Sequence, residues 1–285
     1  MMDSFKKVTI GGCAFQCAKM LPRVLANISA MAAFFPAAHI VFFYDVSQDS
    51  TLRILQEYSQ SSQKLKVTIL INPANERSRS RTVNIARARN GILQLAREEQ
   101  CDLLAMIDLN EYACVGDLQP ETLQAVFTPE LLPQWDAISF TREAGYYDYW
   151  ALSFPGFIYS FMHYPAHCDV VTKMRDVFPR VLQKQKEQKK ALIPVYSAFN
   201  GFSLYKLNLF KDCVYSADIE LALFPQHELR QALRWGTPIS SKHNDCEHRH
   251  FHLQANQKHG ARIRIYPCSL FRKLSPSIEG LRGPA

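Results

Sequence analysis

The stretch from Thr82 to Tyr112, TVNIARARNGILQLAREEQCDLLAMIDLNEY, leaves a chain few ways to fold. Ile85, Ile92 and Ala96 recur at helical spacing, and Arg89 falls on the same stripe. A charged group on an apolar face is costly unless it meets a partner. The run that follows, Leu103-Leu104-Ala105-Met106-Ile107, is too short for a second helix and suits a strand covered on both faces. It ends in oxygen-bearing side chains, Asp108-Leu109-Asn110-Glu111. In an open α/β sheet ligands sit just beyond the carboxyl ends of strands, so a site is expected there.

The same alternation runs upstream. Lys7 to Gly11 reads as a first strand, about Phe15 to Phe34 as a helix, and His39 to Asp45 as a second strand. SQDSTLRILQEYSQ begins as a helix capped by Ser50 or Asp49, and Leu65 to Ile71 alternates as a third strand. The loop NPANERSRSR leads into the helix above, and Asp102 to Ile107 is the fourth strand. This order implies right-handed crossovers and a mostly parallel sheet flanked by helices. After Asn110 the pattern changes. Strands are expected at Asp136 to Thr141, Phe199 to Leu204 and Arg262 to Tyr266, and helices at Val170 to Gln188 and His227 to Trp235, with a further helix in DCEHRHFHLQANQKHGARIRIYP. Tyr146 to Leu152 and Phe154 to Tyr164 are dense in aromatics. No linker rich in Gly, Ser or Pro divides the chain. One domain over residues 1–285 is expected, with lobes at about 1–112 and 113–285.

Bulk properties narrow the classes. At 285 residues and 47% hydrophobic the chain can bury a sizeable core. Its longest apolar runs, such as Ala30 to Ala38, are about half of what a spanning helix needs. MMDSFKKVTI enters a strand pattern with no secretory segment before it, which predicts a cytoplasmic protein. The eight cysteines are scattered without a CxxC pair and read as free thiols. A net charge of +7 favours anionic partners, part of it in the solvated run Gln183 to Lys190. The basic charge and the aromatic run Phe157 to Tyr164 permit peripheral membrane contact, although core burial explains them as well.

Taken in order, VFFYDVSQDST, RTVNIARARN, LLAMIDLNEY, YYDYWAL, FNGFSLYK and CEHRHFH resemble the GT-A glycosyltransferases, over roughly Lys7 to Pro267. Within them the resemblance is to viral, bacterial and fungal glycosyltransferase-like proteins related to capsule mannosyltransferases. It implies a Rossmann-like nucleotide-diphospho-sugar transferase fold, with a nucleotide-binding lobe followed by an acceptor lobe. It also implies a hexosyltransferase of polysaccharide biosynthesis, acting on a nucleotide-sugar donor and a glycan or glycolipid acceptor, with no specific nucleic acid.

The resemblance carries over to particular residues. Asp108 and Asn110 match the family's Asp-x-Asp motif, which holds the donor diphosphate through Mn²⁺ or Mg²⁺. Alternate residues of an extended segment point the same way, so both reach one cation. Asn110 departs from the motif: an amide brings less charge than a carboxylate, which puts metal dependence in question, and Glu111 is a further oxygen donor. Asp45 matches the nucleoside contact, while with Ser47, Asp49 and Thr51 it reads equally as part of a turn and helix cap. Arg81, Arg89 and Asn90 match the donor-side basic segment, Arg89 being expected to hold Asp108 or the diphosphate. Asp148 lies in the aromatic-acidic segment behind the sugar pocket, and Gly201 in a segment lining the acceptor side. Glu247 is the expected base for an inverting reaction, with His248 the expected third metal ligand. A zinc site from Cys246, His248, His250, His252 and His243 competes poorly, since alternate positions do not converge on a tetrahedral ion.

Two other functions remain open on the sequence. A catalytically silent nucleotide- or glycan-binding relative is kept alive by Asn110. A nucleic-acid-binding protein would use the basic surface, but the basic residues are dispersed and no nucleic-acid-binding motif is present.

Overall fold

The computed structural model describes residues 5–62, 64–73, 76–110, 116–143, 145–160, 163–164, 166–188, 191–235 and 244–272. Glu111, Cys114 and His243 lie outside them. In chain order the N-terminal half runs β1 (Lys7–Ala14), α1 (Leu21–Ala32), β2 (Ala37–Tyr44), α2 (Thr51–Ser61), β3 (Lys66–Ile71), α3 (Arg81–Glu98) and β4 (Leu103–Asp108). There follow β5 (Asp117–Leu118), α4 (Pro120–Ala125), β6 (Ala137–Thr141), α5 (Val170–Glu187), β7 (Ile193–Val195), β8 (Phe202–Lys206), α6 (Gln226–Ala232), α7 (Glu247–His259), β9 (Ile263–Ser269) and β10 (Phe271–Arg272).

Eight strands form one sheet in the order β3-β2-β1-β4-β8-β6-β9-β7. The first four are parallel, as βαβ crossovers require. β8 runs antiparallel to both β4 and β6, β9 is parallel to β6, and β7 closes the edge antiparallel to β9. β5 and β10 make a separate small ribbon. Leu103 to Ile107 on β4 are buried on both faces. One face packs with α1, through Leu21, Val24 and Ile28; the other packs with α3, through Ile92, Leu93 and Ala96. Gly11 sits under α3 because a Cβ there would collide with Ile92.

Several boundaries differ from the sequence reading, each for a local reason. α1 starts at Leu21 rather than Phe15, since Pro22 suits a first turn and Gln16 is held in the left-handed region at φ 46°. The freed loop 15–20 lines the candidate site instead. At α2 it is Asp49, not Ser50, that receives the Thr51 N–H (3.0 Å), while its other oxygen receives Ala18 N–H. β8 begins at Phe202 because Asn200 and Gly201 turn the chain at φ 56° and 86°. β5, α4, β7 and β10 are additions with no counterpart in the reading. Of the aromatic run, Phe157, Ile158, Tyr159 and Tyr164 are buried in the core. Among the described residues no helix is long and apolar enough to cross a membrane.

Candidate active site

The C-terminal ends of β1, β2 and β4 open onto a cleft of about 1020 Å³. Four segments close it: the loop after β1, the loop entering α3, the aromatic segment after β6, and the first turn of α7. Asp45, Arg81, Arg89, Asp108, Asn110, Asp148, Glu247 and His248 all line it. Residues more than 200 positions apart in the chain thus meet at one sheet edge, where ligands of open α/β sheets bind.

α3 presents one face to this cleft. Ser80 caps the helix by accepting Val83 N–H, and Arg81, Asn84, Ile85 and Ala88 follow at helical spacing. Asn84 clamps the arginine loop in both directions, accepting Ser78 N–H and donating to Ser78 O, each at 2.8 Å. Arg77 stacks over Phe15 (4.2 Å) and pairs with Asp45 (3.3 Å), whose other oxygen receives Asn72 Nδ2 (3.2 Å).

Arg89 lies deeper. Its Nη2 donates to Asp108 Oδ1 at 2.8 Å, its Nη1 pairs with Glu247 Oε1 at 3.0 Å, and its plane sits 4.4 Å over the Phe199 ring. Burial works against this cation, but Glu247 and Asp108 hold its pKa above the ordinary value. Both acids are pushed up by burial, and Arg89 opposes that in each; Asp108 is also opposed by Arg81 and by a hydrogen bond with Asn110. Asp108 keeps a side-chain exposure of 28% towards the cleft, whereas Glu247 keeps 4%.

Asp148 is held differently. Asn200 Oδ1 receives the N–H groups of Tyr147 and Asp148, and Asp148 Oδ1 receives Ala151 N–H. Burial, with Asp108 and Glu247 nearby, raises its pKa to about 6. Arg249, fully buried, fixes α7 to this segment through Ser153 Oγ (2.7 Å), Trp150 O (2.6 Å) and Asp245. Sequence reasoning passed over Asn84 and Arg249, and took Asn200 only as the neighbour of Gly201 in a turn or acceptor-side segment. Only Arg249 carried a signal, an acid four residues earlier on the helix entry.

Two expected site residues lie outside the cleft lining. Asn90 exchanges hydrogen bonds with the backbone of Tyr215 (2.8 Å each), because one helical step turns it away from Arg89. Gly201 accepts Asp108 N–H at 2.9 Å and so anchors the end of β4 through its backbone.

His248 stacks on Phe199 (3.8 Å) with Nδ1 3.3 Å from Tyr205 Oη, and Tyr205 Oη lies 3.2 Å from His252 Nε2. Burial, with Arg89 and His252 adding to it, holds the His248 imidazole neutral. Its Nε2 is buried without a hydrogen-bond partner, 3.7 Å from Glu247 Oε1. The Asp108 carboxylate and the Asn110 amide are oxygen donors that suit Mn²⁺ or Mg²⁺, with less charge than two carboxylates would bring; the imidazole nitrogen is a softer ligand that fits Mn²⁺ better than Mg²⁺. The competing histidine-rich set does not gather. His250 turns towards Glu220, and among the described residues Cys246, His248 and His252 form no ligand cluster.

No protein-family model matches the chain, and no curated protein matches it in sequence. Solved structures do. A mannosyltransferase from Pyrobaculum calidifontis, in complex with GDP-Man and Mn²⁺, superposes with a TM-score of 0.50 at 16% identity, covering 96% of this chain and 58% of that one. TarS 1–349 of S. aureus, in complex with UDP-GlcNAc, gives 0.49 at 14% identity, covering 97% and 62%. The chain therefore spans less than two thirds of either structure. At such identities the likeness is one of fold, that of the GT-A nucleotide-sugar transferases.

Proposed function

We propose that the chain is a glycosyltransferase, moving a hexose from a nucleotide-sugar donor to a hydroxyl of a glycan or lipid-linked saccharide in polysaccharide assembly. The observation that carries this reading is Arg89, which ties Asp108 of the nucleotide side to Glu247 of the acceptor side within one cleft at the strand ends. Asp45 and Asn72 would receive the nucleoside beside the Phe15 ring. Arg79 and Arg81, at the entry to α3, would meet the diphosphate with forked donors. Asp108, Asn110 and His248 would hold Mn²⁺ or Mg²⁺. When bound, that ion neutralises charge on the leaving diphosphate.

The chemistry assigned to the protein is a proton transfer. A carboxylate takes the proton of the acceptor hydroxyl as its oxygen bonds to the anomeric carbon, and the bond from that carbon to the diphosphate breaks. Glu247 is the base in this reading. Asp148, its pKa raised to about 6 and with no arginine in direct contact among the described residues, orients the sugar hydroxyls and is the second carboxylate able to accept the proton.

A silent nucleotide- or glycan-binding relative is the second reading. Asn110 favours it, as does the engagement of Asp108 and Glu247 by the same guanidinium. Thermal stability with UDP, GDP, CDP and their sugars, each with Mn²⁺ or EDTA, separates the two. A shift with one nucleotide that deepens with Mn²⁺ and is lost in Asp108→Ala supports the transferase and names its base. A shift indifferent to metal, without turnover of the donor sugar, supports the silent relative. Absence of any shift counts against both.

A further inference from the structure

A second group of ligand-type side chains sits at the opposite end of α7 from the cleft. Glu247 opens this helix and His259 ends it, twelve residues on, a separation of about 18 Å along the axis. There His259 Nε2 lies 2.6 Å from Asp212 Oδ1, and Cys213 Sγ lies 3.8 Å from the same oxygen. The three ligand atoms are all within 4.8 Å of one another. Around a tetrahedral ion with bonds of about 2.0–2.3 Å, ligand atoms stand roughly 3.5 Å apart, so small side-chain movements would close the set.

We propose that Asp212, Cys213 and His259 form a binding site for a single Zn²⁺-type ion, separate from the cleft and independent of the glycosyltransferase reading. The donor set is one thiolate, one imidazole and one carboxylate, the mixture that zinc takes. Cys213 is fully buried and makes the floor, while Asp212 and His259 have side chains 51% and 21% exposed and make the rim. The fourth position therefore faces solvent, open to water or an outside ligand. The carboxyl end of α7 adds a favourable partial charge for a cation.

The turn that carries Asp212 and Cys213 is fixed in advance. Arg97 donates to the carbonyls of Phe210 and Cys213, and Lys258 donates to that of Asp212. Both cations are spent on backbone oxygens; they oppose a metal by charge while holding its ligands in place. Zinc takes cysteine as the thiolate, so binding displaces the Cys213 proton.

Cobalt titration of the EDTA-treated full chain tests this, read through the near-ultraviolet thiolate-to-cobalt band. One thiolate-bound Co²⁺ per chain is expected, displaced by Zn²⁺, with the band abolished in Cys213→Ser and retained in Asp108→Ala. His259→Ala, at a partly exposed position, should weaken Co²⁺ at least about tenfold and decides the matter if Cys213→Ser does not fold. No thiolate band with excess Co²⁺, or a band that survives Cys213→Ser or is undiminished in His259→Ala, overturns the site.

Discussion

On the wall of the cleft built by residues 13–110, Asp45 and Asp108 each meet an arginine and stay partly open to solvent. On the wall built by residues 146–248, Glu247 is buried, Asp148 is half-buried beside Tyr147 and Trp150, and His248 lies flat on Phe199. The first wall comes from strand ends, a helix start and a basic loop, all close in sequence. The second is drawn together by Asn200 and Arg249, whose side chains bond to the backbone of the segment carrying Asp148. The difference is one of dielectric surroundings. The open wall suits recognition of an anion, because arginines meet both of its acids and oppose the burial that raises Asp108 as well. The closed wall suits proton chemistry, because burial moves its carboxylate pKa values towards neutrality.

Arg89 is where the walls join, and removing it should break the comparison most severely. Arg89→Met leaves Asp108 and Glu247 without their shared cation. A loss of about 3–5 kcal/mol in urea unfolding is expected, because a buried charge stripped of its partner keeps its desolvation cost. A loss under about 1 kcal/mol would mean that the walls are held together by apolar packing alone.

Asp148→Asn sharpens the comparison through pH. The folded state holds the Asp148 proton up to about pH 6, against 3.8 for an unperturbed carboxyl. Folded chains therefore bind the extra proton across that window, and the stability this contributes, fully present below pH 3.8, is lost as pH rises through about 6. The amide removes this decline, so the variant should gain on the order of 2–3 kcal/mol over wild type at pH 8 relative to pH 4, measured by urea unfolding. Parallel pH profiles for the two proteins would show that Asp148 titrates as an ordinary exposed acid.

The smallest effect on stability belongs to the open wall. Arg77→Ala removes an ion pair whose arginine is 42% exposed, and a change within about 0.5 kcal/mol is expected. The thermal shift produced by the best nucleotide should nonetheless shrink, since Arg77 flanks Asp45 and Phe15. A destabilisation like that of Arg89→Met would erase the distinction between the walls.

Much of the open wall was legible in the chain. Periods of helix and strand located β1 to β4, and the acids at the ends of β2 and β4 followed from where those apolar runs stop. Arg89 announced a partner by standing on an apolar stripe. The closed wall was legible only as composition: aromatics around Asp148, and acids and histidines around Glu247. Its geometry depends on hydrogen bonds made about 50 to 100 residues apart, from Asn200 to Tyr147 and from Arg249 to Trp150, for which no local period exists. Asn90 shows the limit within a single helix, since being next to Arg89 in sequence turned it about a quarter turn towards Tyr215.

What the sequence determined by itself was the alternation of a parallel α/β half, because burial on both faces of a strand and one face of a helix imposes periods that short windows carry. What only the tertiary structure decided was which charges meet: Arg89 with Asp108 and Glu247 together, Asp148 with the Ala151 N–H, and Asp212, Cys213 and His259 at the far end of α7. Electrostatic pairing acts through space, and the strength and pKa of each group are set by whichever chain segments exclude water from it.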